Sequence, residues 1–319
     1  MISVIIASYN RSKKLKTTVE CLLKNKAVNY EIIVVEQSKN KLKNPFGSLK
    51  KITYINTQKI NKSTALNTAI HRASGDILVF IDDDIIVSPR YLHRVQKFFD
   101  DRKNKDYSGI FGPILAFEPK KHPGMYCPGV FFSRHLRADK KRIVTRNSFS
   151  FKGPVLQGNN FAVRRGVFDT IGYFKEYLGL KPGQLVVSSE DTELFCRILE
   201  ADLTLVYLPD LKVYHNRWLK PPEMEMHESR YTSGLAFVYY LYILQNRQIV
   251  KGLLYPRLEN RILRRGAKLL KYLISFRFRK LYYQKRELIY ILVDIFSFVS
   301  GFLAALISVF ILGSGNASE

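Results

Sequence analysis

Apolar residues follow two patterns along this chain, and their alternation predicts the architecture. Ile2-Ser-Val-Ile-Ile-Ala7, Tyr30-Glu-Ile-Ile-Val-Val35, Ile52-Thr-Tyr-Ile55 and Ile77-Leu-Val-Phe-Ile81 are short runs of β-formers, each ended by polar residues. Such runs read as strands of a parallel sheet buried on both faces. Between them apolar residues recur at helical spacing: Leu15, Val19, Leu22 and Leu23, then Ala65, Leu66, Ala69, Ile70 and Ala73, then Leu92, Val95, Phe98 and Phe99. The first helix is expected to run to about Lys26, Gly75 to stop the second, and Ser88-Pro89 to open the third with a cap and a first-turn proline. Alternating elements of these lengths predict an α/β fold, a parallel, doubly wound sheet.

Beyond residue 100 the pattern loosens. Gly109 to Ala116 is strand-like, and Phe117 to Lys152, rich in Pro, Gly, Lys and Arg, reads as a long basic loop. Val155 to Val163 returns to a strand with Gly158-Asn159-Asn160 inside it, where a glycine marks close backbone approach to a ligand. Gly166 to Phe174 predicts a short helix and turn. Ser188-Ser189-Glu190-Asp191 opens a helix with Leu194, Phe195, Ile198 and Leu199 inward. Leu203 to Leu208 and Val213-Tyr214-His215 close the series, with Arg217 and Trp218 just after.

Composition adds a basic excess. Lys and Arg outnumber Asp and Glu by 51 to 27, a net charge of +24, which calls for an anionic partner. Between residues 247 and 286 there are 13 basic residues against one acid, so half the excess lies there. Cys21, Cys127 and Cys196 have no metal-ligand spacing, and their odd number argues for a reducing compartment. Ile2 to Ile6 is too short for a signal-peptide core and reads as a strand.

The candidate chemistry centres on Asp82-Asp83-Asp84 at the end of the Ile77–Ile81 run. Three adjacent carboxylates repel one another strongly unless a cation sits among them. In open α/β sheets ligands bind at that end of a strand. A hard divalent ion, Mn²⁺ or Mg²⁺, with phosphate oxygens in its shell suits such acids.

Taken together, Val4-Ile-Ile-Ala-Ser-Tyr-Asn-Arg11, Ile33-Val-Val-Glu-Gln-Ser38, Ala65-Leu-Asn-Thr-Ala-Ile70, Gly75-Asp76, Phe80-Ile-Asp-Asp-Asp84, Gly158-Asn-Asn-Phe-Ala-Val-Arg164, Glu190-Asp191 and Val213-Tyr-His215 make residues 1–220 resemble a family 2 glycosyltransferase of the GT-A fold. The resemblance implies an inverting, metal-dependent transfer of a sugar from a nucleotide-sugar. It implies that Ala7, Tyr9, Arg11, Glu36, Asn67, Asp82 and Asp83 hold the donor. Glu36 stands where the family more often has aspartate. The last acid, Asp84, would ligate the metal, with Asp82 and His215 as further ligands. The catalytic base falls on Asp191, with Glu190 as the alternative, and a capping role for Asp191 after Ser188 competes with both. Gly158, Asn159, Asn160, Glu190, Arg217 and Trp218 would face the acceptor or the donor sugar.

Three regions follow: a catalytic domain over 1–220, a basic, aromatic-rich helical region over 221–286 expected on an anionic membrane surface, and an apolar helix and tail over 287–319. The uncharged stretch Ile295 to Leu312 is about 27 Å long as a helix, close to a bilayer core. A span from about Leu288 to Leu312 is expected, with the catalytic domain cytoplasmic. The acceptor is then expected to be a lipid-linked sugar or a growing surface glycan. Two other classes compete. A nucleic-acid-binding protein would place its basic residues within a recognisable nucleic-acid module. A nucleotidyltransferase would carry a glycine- and basic-rich phosphate loop near its start. The sequence shows neither feature, and it leaves the oligomeric state open.

Overall fold

In the computed structural model the described residues are 1–26, 28–40, 42–130, 139–149, 156–179, 188–245, 249 and 299. They fall into two units, Met1–Pro182 with Glu190–Lys220, and Gly183–Ser189 with Pro221–Glu319.

The first unit is built on an eight-stranded sheet. Its strands are β1 (Ile2–Tyr9), β2 (Tyr30–Gln37), β3 (Ile52–Thr57), β4 (Ile77–Phe80), β6 (Gly109–Phe111), β8 (Arg142–Val144), β9 (Phe161–Arg164) and β10 (Leu205–Tyr207). The order is β3-β2-β1-β4-β9-β6-β10-β8. β1 to β4 are mutually parallel, whereas β9 runs antiparallel to both β4 and β6, and β8 antiparallel to β10. The sheet is therefore mixed, mostly parallel, and not the purely parallel one expected. A second, three-stranded sheet takes β5 (Ile85–Val87), β11 (Val213–His215) and β7 (Ile114–Ala116).

Helices α1 (Ser12–Leu23), α2 (Lys62–Arg72) and α3 (Tyr91–Asp100) connect the early strands; α4 (Gly166–Ile171) and α5 (Glu190–Glu200) follow β9. Their inward faces are the ones the spacing predicted: Leu15, Val19 and Leu22 on α1, Leu92, Val95, Phe98 and Phe99 on α3. The core is continuous from Ile2 through Val34, Val79 and Ile110 to Leu211 and Val213. Outside this cluster Phe80 stacks on Phe161, centroids 4.4 Å apart and planes within 5°, tying the parallel half of the sheet to the antiparallel strand.

Local departures have local causes. α3 begins at Tyr91, with Arg90 and not Ser88 in the capping position. α2 already ends at Arg72, so Gly75 stops nothing. A Cβ on Gly75 would lie 2.7 Å from Met1 O and Ser3 N, and the glycine is there to let two backbones touch. The run Gly109 to Ala116 is broken at Gly112-Pro113 into β6 and β7, which belong to different sheets. A Cβ on Gly112 would collide with the Leu211 carbonyl. Gly158 lies in the turn before β9, not within a strand. The expected loop after Phe117 contains a 3-10 turn (Pro119–Lys121), strand β8 and a bridge between Tyr126 and Leu219.

In the second unit the described helix is α6 (Pro221–Leu244), with Ala236, Phe237, Val238, Leu241 and Tyr242 buried. Among the described residues no helix is long and apolar enough to cross a membrane. The expected span Leu288 to Leu312 and the basic stretch 247–286 lie, single positions apart, outside the described residues.

Candidate active site

Strand direction gathers the candidate residues. β1, β2 and β4 run in parallel and end at Tyr9, Gln37 and Phe80, so the residues after them emerge at one edge. β9 pairs antiparallel with β4, Phe161 opposite Phe80, so the preceding turn, Gly158 to Asn160, reaches the same edge. β11 pairs with β5, His215 opposite Ile85, which sets His215 beside Asp84.

The three aspartates have three environments. Asp83 and Asp84 are buried, whereas the Asp82 side chain keeps a quarter of its surface. The Arg11 guanidinium reaches Asp83 at 3.0 Å and Asp84 at 2.6 Å. His215 Nε2 lies 3.0 Å from Asp84 Oδ1, and Lys62 Nζ lies 3.1 Å from Asp82 Oδ1. Thr18 of α1 donates to the Asp83 carbonyl and the Asn216 N–H to the Asp84 carbonyl, which fixes the turn itself. Two side-chain cations of the chain, Arg11 and Lys62, thus already meet the acids, with the His215 ring against Asp84. The protonation balance follows. Burial pushes the Asp83 carboxyl up, with Arg11 opposing. Burial would also lift Asp84, but His215 and then Arg11 hold it well below the usual carboxylate range. Burial pulls His215 down, but the Asp84 charge more than offsets this and leaves it above its ordinary value.

These residues provide part of a shell for a divalent ion. His215 Nδ1 lies 2.6 Å from the Pro128 carbonyl, which can only accept, so Nδ1 carries the proton. Nε2 then faces Asp84, the arrangement that orients metal-binding histidines. One carboxylate and one imidazole suit Mn²⁺ or Mg²⁺ when phosphate oxygens supply the remaining ligands. Both oxygens of Asp83 and Oδ1 of Asp84 are buried without a well-aligned hydrogen bond, despite the nearby cations. Asp82, also expected as a ligand, faces Lys62. Among the described residues no group of three or more His, Cys, Asp or Glu is spaced to hold a metal.

At the end of β2, Glu36 is fully buried. Its Oε1 accepts from the Asn10 N–H at 2.8 Å, while Oε2 has no hydrogen bond. Asn10 takes left-handed backbone, φ 53°, to make this turn. Ala7 is buried under it and Tyr9 half-buried beside it. Arg11, expected among the donor contacts, lies on the acids.

Asp191 and Glu190 are separated by environment. Asp191 Oδ2 accepts from the Gly158 N–H at 2.8 Å, and Oδ1 from the Thr192 N–H at 2.7 Å. A Cβ on Gly158 would sit 3.0 Å from the Asp191 Cβ, so that contact depends on glycine. Asp191 is half-buried, whereas Glu190 is 4% exposed and 3.1 Å from Lys62 Nζ. Burial pushes the Glu190 carboxyl up, with Lys62 opposing.

Two expected ligand residues are engaged elsewhere. Asn160 accepts from Tyr91 Oη at 2.9 Å and donates to the carbonyls of Pro113 and Leu211. Asn67 pairs both amide atoms with the Phe174 backbone. Asn159 is buried with its Oδ1 lacking a hydrogen bond. Arg217 is half-buried and its charge helps depress Asp84. Trp218 stacks on His122, centroids 4.4 Å apart. Sequence reasoning missed Lys62, whose one local signal is a cation at the first position of a helix, where the dipole disfavours it.

The family model described as Glycosyl transferase family 2 matches residues 3–172, more than half of the chain. The uncharacterized glycosyltransferase YwdF of Bacillus subtilis (strain 168) is 30% identical over 177 residues, 54% of this chain and 61% of its own length. The dTDP-rhamnosyl transferase RfbF of Shigella flexneri is 23% identical over 219 residues, 67% of this chain and 68% of its own. An uncharacterized glycosyltransferase of Methanocaldococcus jannaschii, MJ1057, aligns over only 55% of its length. Among solved structures, the mannosyltransferase PcManGT from Pyrobaculum calidifontis, in complex with GDP-Man and Mn²⁺, gives a TM-score of 0.60 at 14% identity, covering 96% of this chain and 86% of that one. S. aureus TarS (1–349) in complex with UDP-GlcNAc gives 0.55 at 16%, covering 75% and 65%. These structural likenesses are of fold. The family match carries the assignment: the chain belongs to glycosyl transferase family 2.

Proposed function

We propose that the chain moves a sugar from a nucleotide-sugar to an acceptor hydroxyl by direct displacement, with inversion at the anomeric carbon and Asp191 as general base. The observation that carries this reading is the contrast at the start of α5. Glu190 is buried and paired with Lys62, whereas Asp191 is only half-buried and held by the Gly158 N–H. A carboxylate has about four lone-pair sites, so two backbone contacts and a long one from the Thr192 hydroxyl at 3.4 Å leave Asp191 room for the acceptor's proton. In the displacement the acceptor oxygen bonds to the anomeric carbon and its proton passes to Asp191. The bond from that carbon to phosphate breaks, and the nucleoside diphosphate leaves with the electron pair.

Glu36 would receive an N–H of the base at Oε2, the buried oxygen without a hydrogen bond, and Tyr9 would stack on the ring. Asp84 and His215 would hold a divalent ion, which neutralises charge developing on the diphosphate. That PcManGT binds GDP-Man and Mn²⁺, and TarS UDP-GlcNAc, supports a donor and an ion of these classes. The acceptor is a lipid-linked sugar or a growing surface glycan. The basic stretch 247–286 rests on an anionic cytoplasmic leaflet, and the apolar C-terminal segment anchors the chain.

A thermal-shift panel of nucleoside diphosphates and their sugars, with and without Mn²⁺, identifies the donor. With that donor, Asp191→Asn is expected to lower turnover by about a thousandfold or more while leaving nucleotide binding and the melting temperature near wild type. Full activity in Asp191→Asn would remove it as the base. Release of pyrophosphate in place of a nucleoside phosphate would move the chain to nucleotidyl transfer.

A further inference from the structure

Lys62 is not explained by the displacement above, yet it touches two of the acids around the site. Its Nζ is 3.1 Å from Asp82 Oδ1 and 3.1 Å from Glu190 Oε1. Asp82 follows β4, Glu190 opens α5, and Lys62 opens α2, three elements far apart in sequence. The side chain of Glu190 is 5% exposed and that of Lys62 19%. The lysine also contravenes a local rule, since a cation at the first residue of a helix opposes the helix dipole. Departures from local preference concentrate where function requires them.

The start of α2 is fixed independently of Lys62. Asn61 caps it by accepting from the Thr64 N–H at 3.1 Å, donates its own N–H to Gln37 Oε1 at 2.6 Å, and donates its side-chain amide to the Glu176 carbonyl at 2.6 Å. Gln37 ends β2, next to Glu36. The lysine therefore projects from a helix end that is anchored to the edge of the sheet, and it holds two carboxylates that do not otherwise meet. One of them belongs to the proposed donor contacts. The other is the residue immediately before the proposed base.

We propose that Lys62 is a positioning residue: by clamping Asp82 to Glu190 it fixes the donor side of the site relative to the carboxylate of Asp191. This rests on the reading of Asp191 as base. Lys62 moves no proton in the reaction. Its effect is geometric, and misplacement of about 1 Å at such a site costs up to about 100-fold in rate. The clamp predicts a particular split. Loss of Lys62 loosens both acids, so donor KM rises and kcat falls. Loss of the Glu190 charge loosens only the α5 end, so kcat falls while donor KM holds.

The test is a cycle of wild type, Lys62→Met, Glu190→Gln and the double variant, in the full chain, with nucleoside diphosphate release from the donor found by the panel above. Expected are kcat losses of about 10- to 100-fold in each single variant and a similar loss in the double, because both break one clamp. Donor KM is expected to rise severalfold with Lys62→Met only. Lys62→Met alone leaves Glu190 buried and unpaired and should melt lower; the double variant should regain stability without regaining kcat. Lys62→Arg keeps the charge and the fold and should fall between wild type and Lys62→Met, so the test stands even if Lys62→Met does not fold. Losses in kcat that multiply in the double variant, or wild-type kcat with only a lower melting temperature, would overturn the clamp. A wild-type chain that releases no nucleoside phosphate from any donor would instead overturn the functional reading beneath it.

Discussion

Gly158 and Asp191 make the most exacting contact in the site. The glycine N–H reaches Oδ2 at 2.8 Å, and a methyl group on Gly158 would stand 3.1 Å from that same oxygen and 3.0 Å from the Asp191 Cβ. Gly158→Ala should therefore displace the carboxylate by a few tenths of an ångström. A kcat lower by about 10-fold or more is expected, with nucleotide affinity unchanged, because the base is moved and the donor contacts are not. Steady-state kinetics beside a nucleotide titration check this; an unchanged kcat would mean that the position of Asp191 is immaterial. At this scale the acids were legible, since Asp82, Asp83, Asp84, Glu190 and Asp191 stand out against their apolar neighbours. Their partners were not. Arg11, Lys62 and His215 come from separate elements, and only the pairing of β11 with β5 and the start of α2 brings two of them to the aspartates. Local sequence cannot show charged partners that arrive from a distance.

Asn160 belongs to the scale of elements, for its amide joins four of them. It takes the Tyr91 hydroxyl from α3, the Pro113 carbonyl between β6 and β7, and the Leu211 carbonyl before β11, and it precedes β9. All of this is buried, so Asn160→Ala would leave the Tyr91 hydroxyl and the Leu211 carbonyl without this partner, while the Pro113 carbonyl keeps the Val213 N–H. A loss of about 2 kcal/mol or more is expected in urea unfolding, since each orphaned buried group costs about 1–3 kcal/mol. A sugar contact would give the opposite result, weaker donor binding at an unchanged midpoint. Motif reasoning set Asn160 beside the sugar because its neighbours in sequence face the site. The hydrogen bonds that assign it to the scaffold cross gaps of 47 to 69 residues. The first half of the sheet was legible for the reverse reason: β1, β2, β3 and β4 with α1, α2 and α3 are periodic and local. β6, β7, β8 and β10 have three residues each, too few to show a period, and their pairing partners are distant. Helix starts were misread where capping chemistry in sequence, Ser88 before α3, is overridden by packing that begins the helix at Tyr91, a wholly buried side chain.

For the molecule as a whole, charge and hydropathy lead to a prediction that the sheet does not make. Against a net charge of +24 for the whole chain, the 40 residues 247–286 carry +12, and an apolar run follows directly. A solvated basic face would bind anionic vesicles at about 1 kcal/mol per charge near the surface and release them as salt shortens the Debye length from about 10 Å at 0.1 M. An inserted apolar segment responds differently, because burial of hydrocarbon is not screened by salt. The membrane reading therefore predicts two separable behaviours of the full chain. It should float with vesicles rich in anionic lipid and not with neutral ones when salt is low. After expression it should stay with membranes through both high salt and a carbonate wash, and detergent should be required to release it. Release by salt alone would leave only the electrostatic face and remove the anchor between Leu288 and Leu312. Indifference to anionic lipid at low salt would remove the membrane altogether, and a soluble glycan without a lipid would then become the acceptor to test.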